Sequence, residues 1–232
     1  MQSKILNKIA ILNSFTLAEV LVVIGIIGIV AGLTIPTLIS NYQKQETITG
    51  LKKQYTSLSQ AVKLSEAENG KISTWDWGVA DDVASIRASF EKYWAPYLKI
   101  SKYCTSYSDC GYSSNRFKYL SGVSTEGMNI YYPTYRTTLS MLDGSTLIVS
   151  AYEGSASISK KIYVDINGGK KPNTYGKDVF VFVLDDDKGL QPLGYVNSDT
   201  YINSGCDSTK IGEVCATKII REGWQITDSY PW

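Results

Sequence analysis

The longest run of apolar positions lies near the start of the chain. From Val20 to Ile35 there is no charge and almost every side chain is apolar. Extended to Ile39, the run is long enough to cross a bilayer as a helix, which takes about 20 residues. Beyond it the period changes. Leu51, Tyr55, Leu58 and Val62 recur at helical intervals and form one face of an amphipathic helix. Lys52, Lys53, Gln60, Lys63 and Glu66 lie mostly off that face. Asn69-Gly70 is a stop signal. The two patterns join into one helix from Phe15 to Glu68, about 80 Å long at about 1.5 Å per residue. Pro36 is placed to kink it or to open it locally.

A second helix is expected to open at Asp81-Asp82, with Ile86, Phe90, Tyr93, Trp94 and Tyr97 on its apolar side and Pro96 in its last turn. Tyr103–Asn129 reads as a loop. A disulfide-pinned loop there serves either as a contact surface or simply as a loop held still. The pattern then turns to strands. Thr138–Leu142 and Ser145–Ser150 flank Asp143-Gly144, a two-residue hairpin signal. Lys161–Ile166 alternates, Asp178–Leu184 contains Val-Phe-Val-Phe-Val, and Gly189–Leu193 returns as a short strand. The expected fold is α+β: an antiparallel sheet of about four strands with the long helix over its inner face. Residues 211–222 read as helical or mixed, and the aromatic tail Trp224–Trp232 is expected to dock on the domain. There is no internal repeat, low-complexity tract or interdomain linker.

One residue spoils the apolar run as a simple anchor. Glu19 sits inside it, where an ionisable group costs roughly 3 kcal/mol near the bilayer centre and less toward the edge. A partner relieves that cost, and an amine is the natural candidate. A short basic leader with Lys4 and Lys8 precedes Phe15-Thr-Leu-Ala-Glu19; then come the apolar residues to Ile35, then Pro36. This segment resembles the amino-terminal segment of type IV pilins and of the pseudopilins of type II secretion systems. The resemblance implies cleavage by a prepilin peptidase between Ser14 and Phe15, methylation of the new Phe15 amine, and a Glu19 carboxylate that pairs with the amine of a neighbouring subunit. The family usually has Gly before the cut; here it is Ser14. The motif covers about residues 1–40 and is much weaker beyond. It also implies the pilin-like roll that the periodicities give separately.

Two blander readings compete. A secretory signal peptide has a shorter apolar region ending at a small-residue cleavage site. A plain single-span anchor accounts for the hydrophobicity but not for Glu19 or the Phe-Thr-Leu-x-Glu string. Gly28 and Gly32 form a Gly-x-x-x-Gly pair, a weak sign of close helix packing. The expected organisation is a cytoplasmic leader, 1–14; a transmembrane helix and filament core, 15–39; and an extracytoplasmic globular domain, 40–232, whose helix 40–69 continues the membrane helix. The implied location is the bacterial inner membrane, single-pass. Lys44, Lys52 and Lys53 lie on the far side, so the resemblance sets the orientation more firmly than charge does.

The chain has 232 residues and a net charge of +1, which argues against a general nucleic-acid binder. It has no histidine, the commonest general base and metal ligand. The 17 tyrosines suit a β-rich extracytoplasmic surface. Cys104, Cys110, Cys206 and Cys215 all lie beyond the membrane segment, at spacings unlike zinc or redox motifs. An even count in an exported domain reads as two disulfides. Three connectivities are open, with Cys104–Cys110 and Cys206–Cys215 favoured because each closes a short loop; four buried thiols are the alternative.

No nucleophile elbow, P-loop or metal-ligand triad is present, so the chain is expected not to be an enzyme and to need no cofactor. One stretch leaves calcium open. Asp165-Ile-Asn167-Gly168-Gly169, with Asp178 beyond, offers oxygen ligands in a Gly-rich loop. The EF-hand pattern fails at Gly169 and Gly176. A tight turn with local Asp and Asn backbone bonds is the alternative. Asp185-Asp186-Asp187 reads as a solvated turn that has the chemistry to add ligands. The expected function is that of a pilin-like structural subunit of a type II secretion or type IV pilus filament. Its partners would be prepilin peptidase, other pilin or pseudopilin subunits, an inner-membrane assembly platform and membrane lipid. The second reading is a membrane-anchored binding module: a tip pilin, an adhesin, or a receptor for DNA or exported substrate.

Overall fold

The structure, a computed structural model, describes residues 16–78, 82–123, 129–133, 136–153 and 158–232. The leader, Ser14, Phe15 and Asp81 lie outside the described residues. The chain divides into two units, one ending at Gln43 and the other Lys44–Trp232.

Helix α1, Leu17–Asn69, runs through both and continues across Pro36. In the first unit its apolar side chains, Leu21, Ile24, Ile27 and Leu33 among them, are exposed. This part is long and apolar enough to cross a membrane. Thr34 bonds back to the carbonyl of Val30 at 2.9 Å, so its hydroxyl is satisfied within the helix. In the second unit the helix buries Thr47, Leu51, Gln54, Leu58, Ala61, Val62 and Ser65. These recur every three or four residues and form one stripe, as the sequence pattern predicts.

Helix α2 is Val83–Tyr93. Asp82 caps it, its side chain accepting from the Ala84 N–H at 3.1 Å. The helix stops before Ala95-Pro96, where the residue preceding a proline disfavours helical geometry and the chain tightens into a 3-10 turn.

The sheet has six strands where about four are expected. They are β1 Ile100–Tyr103, β2 Arg136–Met141, β3 Thr146–Glu153, β4 Ile158–Asp165, β5 Val179–Asp185 and β6 Gly189–Pro192. Each pairs with the next, antiparallel, in sequence order. The unexpected strand is β1. Its Ile-Ser-Lys-Tyr sequence sits at the sheet edge with two exposed residues, too short and polar to show an alternating pattern.

The β2–β3 turn also differs from expectation. Its loop has three residues, Leu142-Asp143-Gly144, because Met141 and Ser145 are still bonded (N–H to carbonyl, 2.9 Å). Gly144 takes the left-handed conformation, φ 87°, that three-residue hairpin loops need at this position. Leu142 is thereby turned out to solvent.

The sheet is buried on both faces. Leu139, Leu147, Val164 and Phe180 stand in register across β2 to β5, and Ile162 pairs with Phe182. They share the main core with Leu51, Leu58 and Val62 of α1. Their neighbours along the strands point the other way. Ile148, Tyr163, Val179 and Val181 form a second cluster with Tyr112, Phe117, Ile130 and Tyr175. The Val-Phe-Val-Phe-Val run therefore carries no polar face: its phenylalanines fill one core and two of its valines the other. The segment after β1, read from sequence as a loop, supplies the cover for this second face.

Two short helices follow, α3 Asp199–Gly205 and α4 Cys215–Arg221. The tail docks on the domain. Trp224 packs 5.6 Å from Tyr55, Tyr230 is buried, and its hydroxyl donates to the Gly176 carbonyl.

Candidate functional site

The start of α1 is a reciprocal cap. The Thr16 N–H donates to Glu19 Oε2 at 2.8 Å, and the Thr16 hydroxyl donates to the same oxygen at 2.8 Å. The Glu19 N–H in turn donates to Thr16 Oγ1 at 3.2 Å. This is a capping box, which satisfies helix N–H groups that have no intrahelical partner. Between Thr16 and Gln43 Glu19 is the only charged side chain. The sequence reading assigned it a partner on another subunit and missed this local one, although Thr-x-x-Glu is the signature of the motif. Ser14 and Phe15, which flank the expected cut, lie outside the described residues.

The cysteines form two disulfides, Cys104–Cys110 and Cys206–Cys215. The first closes a loop that is also held by Lys102 and Asp109, 2.5 Å apart. Asp109 accepts from the Thr105 N–H at 3.0 Å. The second links the end of α3 to the start of α4, and both its cysteines are buried in the main core.

The first loop leads to a cluster of buried carboxylates in the β4–β5 connection. Asp165 ends β4 and is 0% exposed; Asp178 precedes β5 and is 2% exposed. Tyr112, just after the disulfide, donates its hydroxyl to Asp165 Oδ2 at 2.8 Å. The Asn167 N–H donates to Asp165 Oδ1 at 3.2 Å. Asp178 accepts from the N–H groups of Asn173 at 2.8 Å and Thr174 at 2.6 Å. None of the ion pairs among the described residues involves either carboxylate. Burial, and then the charge of Asp178, push the Asp165 carboxyl well above the usual range. Burial likewise raises Asp178.

Two glycines let this connection lie flat under its neighbours. A Cβ on Gly168 would stand 2.4 Å from the Gly144 carbonyl oxygen, and one on Gly169 2.1 Å from that of Gly111. The side-chain amides of Asn167 and Asn173 turn toward two other main-chain carbonyls, those of Gly168 and Lys170. The inward amide atom of Asn167 is 2.9 Å from Asp165 Oδ1 and 3.1 Å from the carbonyl oxygens of both Gly168 and Lys170. That of Asn173 is 3.3 Å from Asp165 Oδ2, 3.1 Å from the Gly168 oxygen and 2.7 Å from the Lys170 oxygen. Asp165, Asn167 and Asp178 were legible in sequence. Tyr112, Asn173 and the two carbonyls were not, because the EF-hand template places its ligands elsewhere.

The remaining acidic turn is occupied locally. Asp185 Oδ1 accepts from the N–H groups of Asp187 at 3.0 Å and Lys188 at 2.8 Å; Oδ2 accepts from the Tyr195 hydroxyl. Asp186 pairs with Lys160. Among the described residues no group of three or more His, Cys, Asp or Glu side chains is placed to hold a metal.

No solved structure matches the chain. Over 66 residues, 28% of its length, it is 38% identical to "Prepilin peptidase-dependent protein D" of Escherichia coli (strain K12). That stretch is 44% of the relative, so the chain spans less than half the length of this curated protein. Residues 37–232, most of the chain and all of its sheet, match the model of a family of unknown function (DUF6613), and the chain belongs to that family.

Proposed function

We propose that this chain is a pilin-like structural subunit, made as a single-pass inner-membrane precursor, cut before Phe15 by a prepilin peptidase and assembled into a filament with other such subunits. The observation that carries the reading is helix α1. It begins with an exposed apolar stretch holding a lone carboxylate in its first turn, and it ends as a buried stripe in its own domain. Such a helix suits two solvents in succession, lipid before assembly and the apolar core of a filament after it. In both, an unpaired Glu19 charge is costly. Pairing with the Phe15 amine of a neighbour neutralises both groups and fixes axial register. The printed name of the Escherichia coli relative, which ties that protein to prepilin peptidase, supports the same pathway. In this reading the sheet domain lies outside the cytoplasm, where its two disulfides are stable.

The test is intact and peptide mass spectrometry of the protein extracted from membranes. The expected result is a mature terminus at Phe15 bearing one added methyl group. A terminus at Met1 in the assembled or membrane-bound protein would end this reading and leave a plain anchored domain.

A further inference from the structure

We propose that Lys218 and Asn203 join in an intramolecular isopeptide bond, with Glu222 as the catalytic carboxylate that moves the proton. The three side chains meet between α3 and α4. Lys218 Nζ donates to Asn203 Oδ1 at 2.5 Å and stands 2.9 Å from Glu222 Oε1, one helical turn further along. A carbonyl bond is about 1.2 Å long, so the Asn203 amide carbon lies within about 3.7 Å of Nζ, near the separation of about 3–3.5 Å from which atoms react.

The pair differs from an ordinary ion pair one turn apart. Arg87 and Glu91 on α2 have the same spacing, and their side chains are 49% and 48% exposed. Those of Lys218 and Glu222 are 7% and 25% exposed. A lysine on a helix surface normally keeps its head in water. Lys218 instead turns its amine inward, onto the amide of a neighbouring helix. The surroundings hold all three groups in place. The Cys206–Cys215 disulfide ties the end of α3 to the start of α4. Arg221 of α4 pairs with Asp199 of α3 at 2.7 Å. The Thr217 hydroxyl donates to the Leu193 carbonyl at 2.7 Å and pins α4 beside the end of β6. The tail closes on Glu222, where the Thr227 hydroxyl donates to Oε2 at 2.9 Å. That leaves Oε1 facing the amine.

The reaction balances without an added reagent. Glu222 takes one proton from the Lys218 ammonium. The freed amine attacks the Asn203 amide carbon, and the new C–N bond forms. As the tetrahedral centre collapses, the bond from that carbon to Nδ2 breaks. The leaving nitrogen receives the proton held by Glu222 and a second one from Nζ, and departs as ammonium. Nothing is oxidised or reduced, and Glu222 is regenerated. Asn203 is exposed, which gives the ammonium a way out. The product brackets the disulfide in sequence and ties the same two helices by a bond that no thiol can break. It does not depend on the filament reading.

The experiment is intact mass spectrometry of the full chain, extracted in detergent, reduced and alkylated, with its amino terminus read from a peptide map. The mass should fall about 17 Da below that of the sequence, the loss of one ammonia. Trypsin should release a branched peptide that joins Asn203 to Lys218 and is uncut after Lys218. Lys218→Arg keeps the charge without a nucleophilic amine and should show the full mass. Glu222→Gln should slow the loss of ammonia after refolding from urea by about 100-fold or more. Wild type at its full mass would overturn the bond and leave an ammonium held by Asn203 and Glu222. The same loss on a linear peptide would be a succinimide at Asn203-Ser204 and would overturn it equally. Cross-linking of Glu222→Gln at the wild-type rate would remove Glu222 from the chemistry. Should either variant fail to fold, the mass and the branched peptide of the wild type decide.

Discussion

At the scale of single residues, Glu19 caps its own helix, and the proposed filament would give the same side chain a second task. Its bonds to Thr16 start the helix; its charge is the feature a filament would use. The two separate by substitution. In Glu19→Gln the amide oxygen still accepts from Thr16, since glutamine serves in capping boxes, but the charge is gone. Precursor cleavage should be unchanged and incorporation into filaments should fall by more than about tenfold, because a buried ion pair that loses one partner costs roughly 3–5 kcal/mol. Thr16→Ala removes the cap at a cost of about 1 kcal/mol and keeps the charge, so incorporation should hold within about threefold. Filament yield against cleaved subunit, measured by immunoblot of sheared fractions, checks both. Normal assembly of Glu19→Gln would sink the charge-pairing role. Glu19 was visible in sequence because one carboxylate in an apolar run is conspicuous. Its cap is equally legible, in the Thr-x-x-Glu spacing of Thr16 and Glu19.

At the scale of elements, the contact between α1 and the β2–β3 turn is held by a carboxylate and so depends on pH. Gln54 donates to Asp143 Oδ2 at 2.8 Å and to Ser145 Oγ at 3.0 Å; Lys53 stands 2.7 Å from Asp143 Oδ2. Ser145 donates its N–H and hydroxyl to Asp143 Oδ1 at 3.1 and 2.6 Å. Burial works against the Asp143 charge, but Lys53, Ser145 and Gln54 outweigh it and hold the carboxyl down to about 2. A carboxyl lowered by folding stabilises the fold above its unfolded pKa, near about 4, and that contribution fades as pH falls toward 2. Asp143→Asn leaves Gly144 in its left-handed position in the three-residue loop and removes the charge. We expect it to cost roughly 1–2 kcal/mol at pH 7, discounted for the partial exposure of the pair, and almost nothing at pH 2. Urea titrations at the two pH values measure this; a cost that does not change with pH would mean that the carboxylate charge contributes nothing there. The stripe on α1 was legible because it repeats over many turns. The length of this turn was not: Asp-Gly announces a hairpin, while the third loop residue is set by where strand pairing stops.

At the scale of the whole molecule, the sheet is held between two cores, and each disulfide belongs to a different one. Cys206 and Cys215 lie in the core beneath α1, while Cys104 and Cys110 lie in the cluster on the opposite face. The sequence pattern disclosed the first core through helical and strand periodicity. It hid the second, because its cover comes from a segment with no regular period, tied down by a disulfide, by Tyr112 and by Phe117. The arrangement predicts a divided response to loss of a disulfide. Each bridge closes a short loop and contributes about 2–3 kcal/mol by chain entropy. Cys206→Ala/Cys215→Ala should therefore lower Tm by about 5–10 °C while the sheet stays folded. The loosening should be local, in α3, α4 and the tail, because Cys215 is packed against the position of Gly176, where a Cβ would stand 3.0 Å from its sulfur and 3.1 Å from the Tyr230 hydroxyl. Amide exchange is the discriminating measurement. Faster exchange confined to residues 199–232, with β2–β5 still protected, is the expected outcome. Exchange that rises evenly across both cores would mean that the two faces of the sheet melt as one unit and that the second bridge does not act through its own end of the molecule.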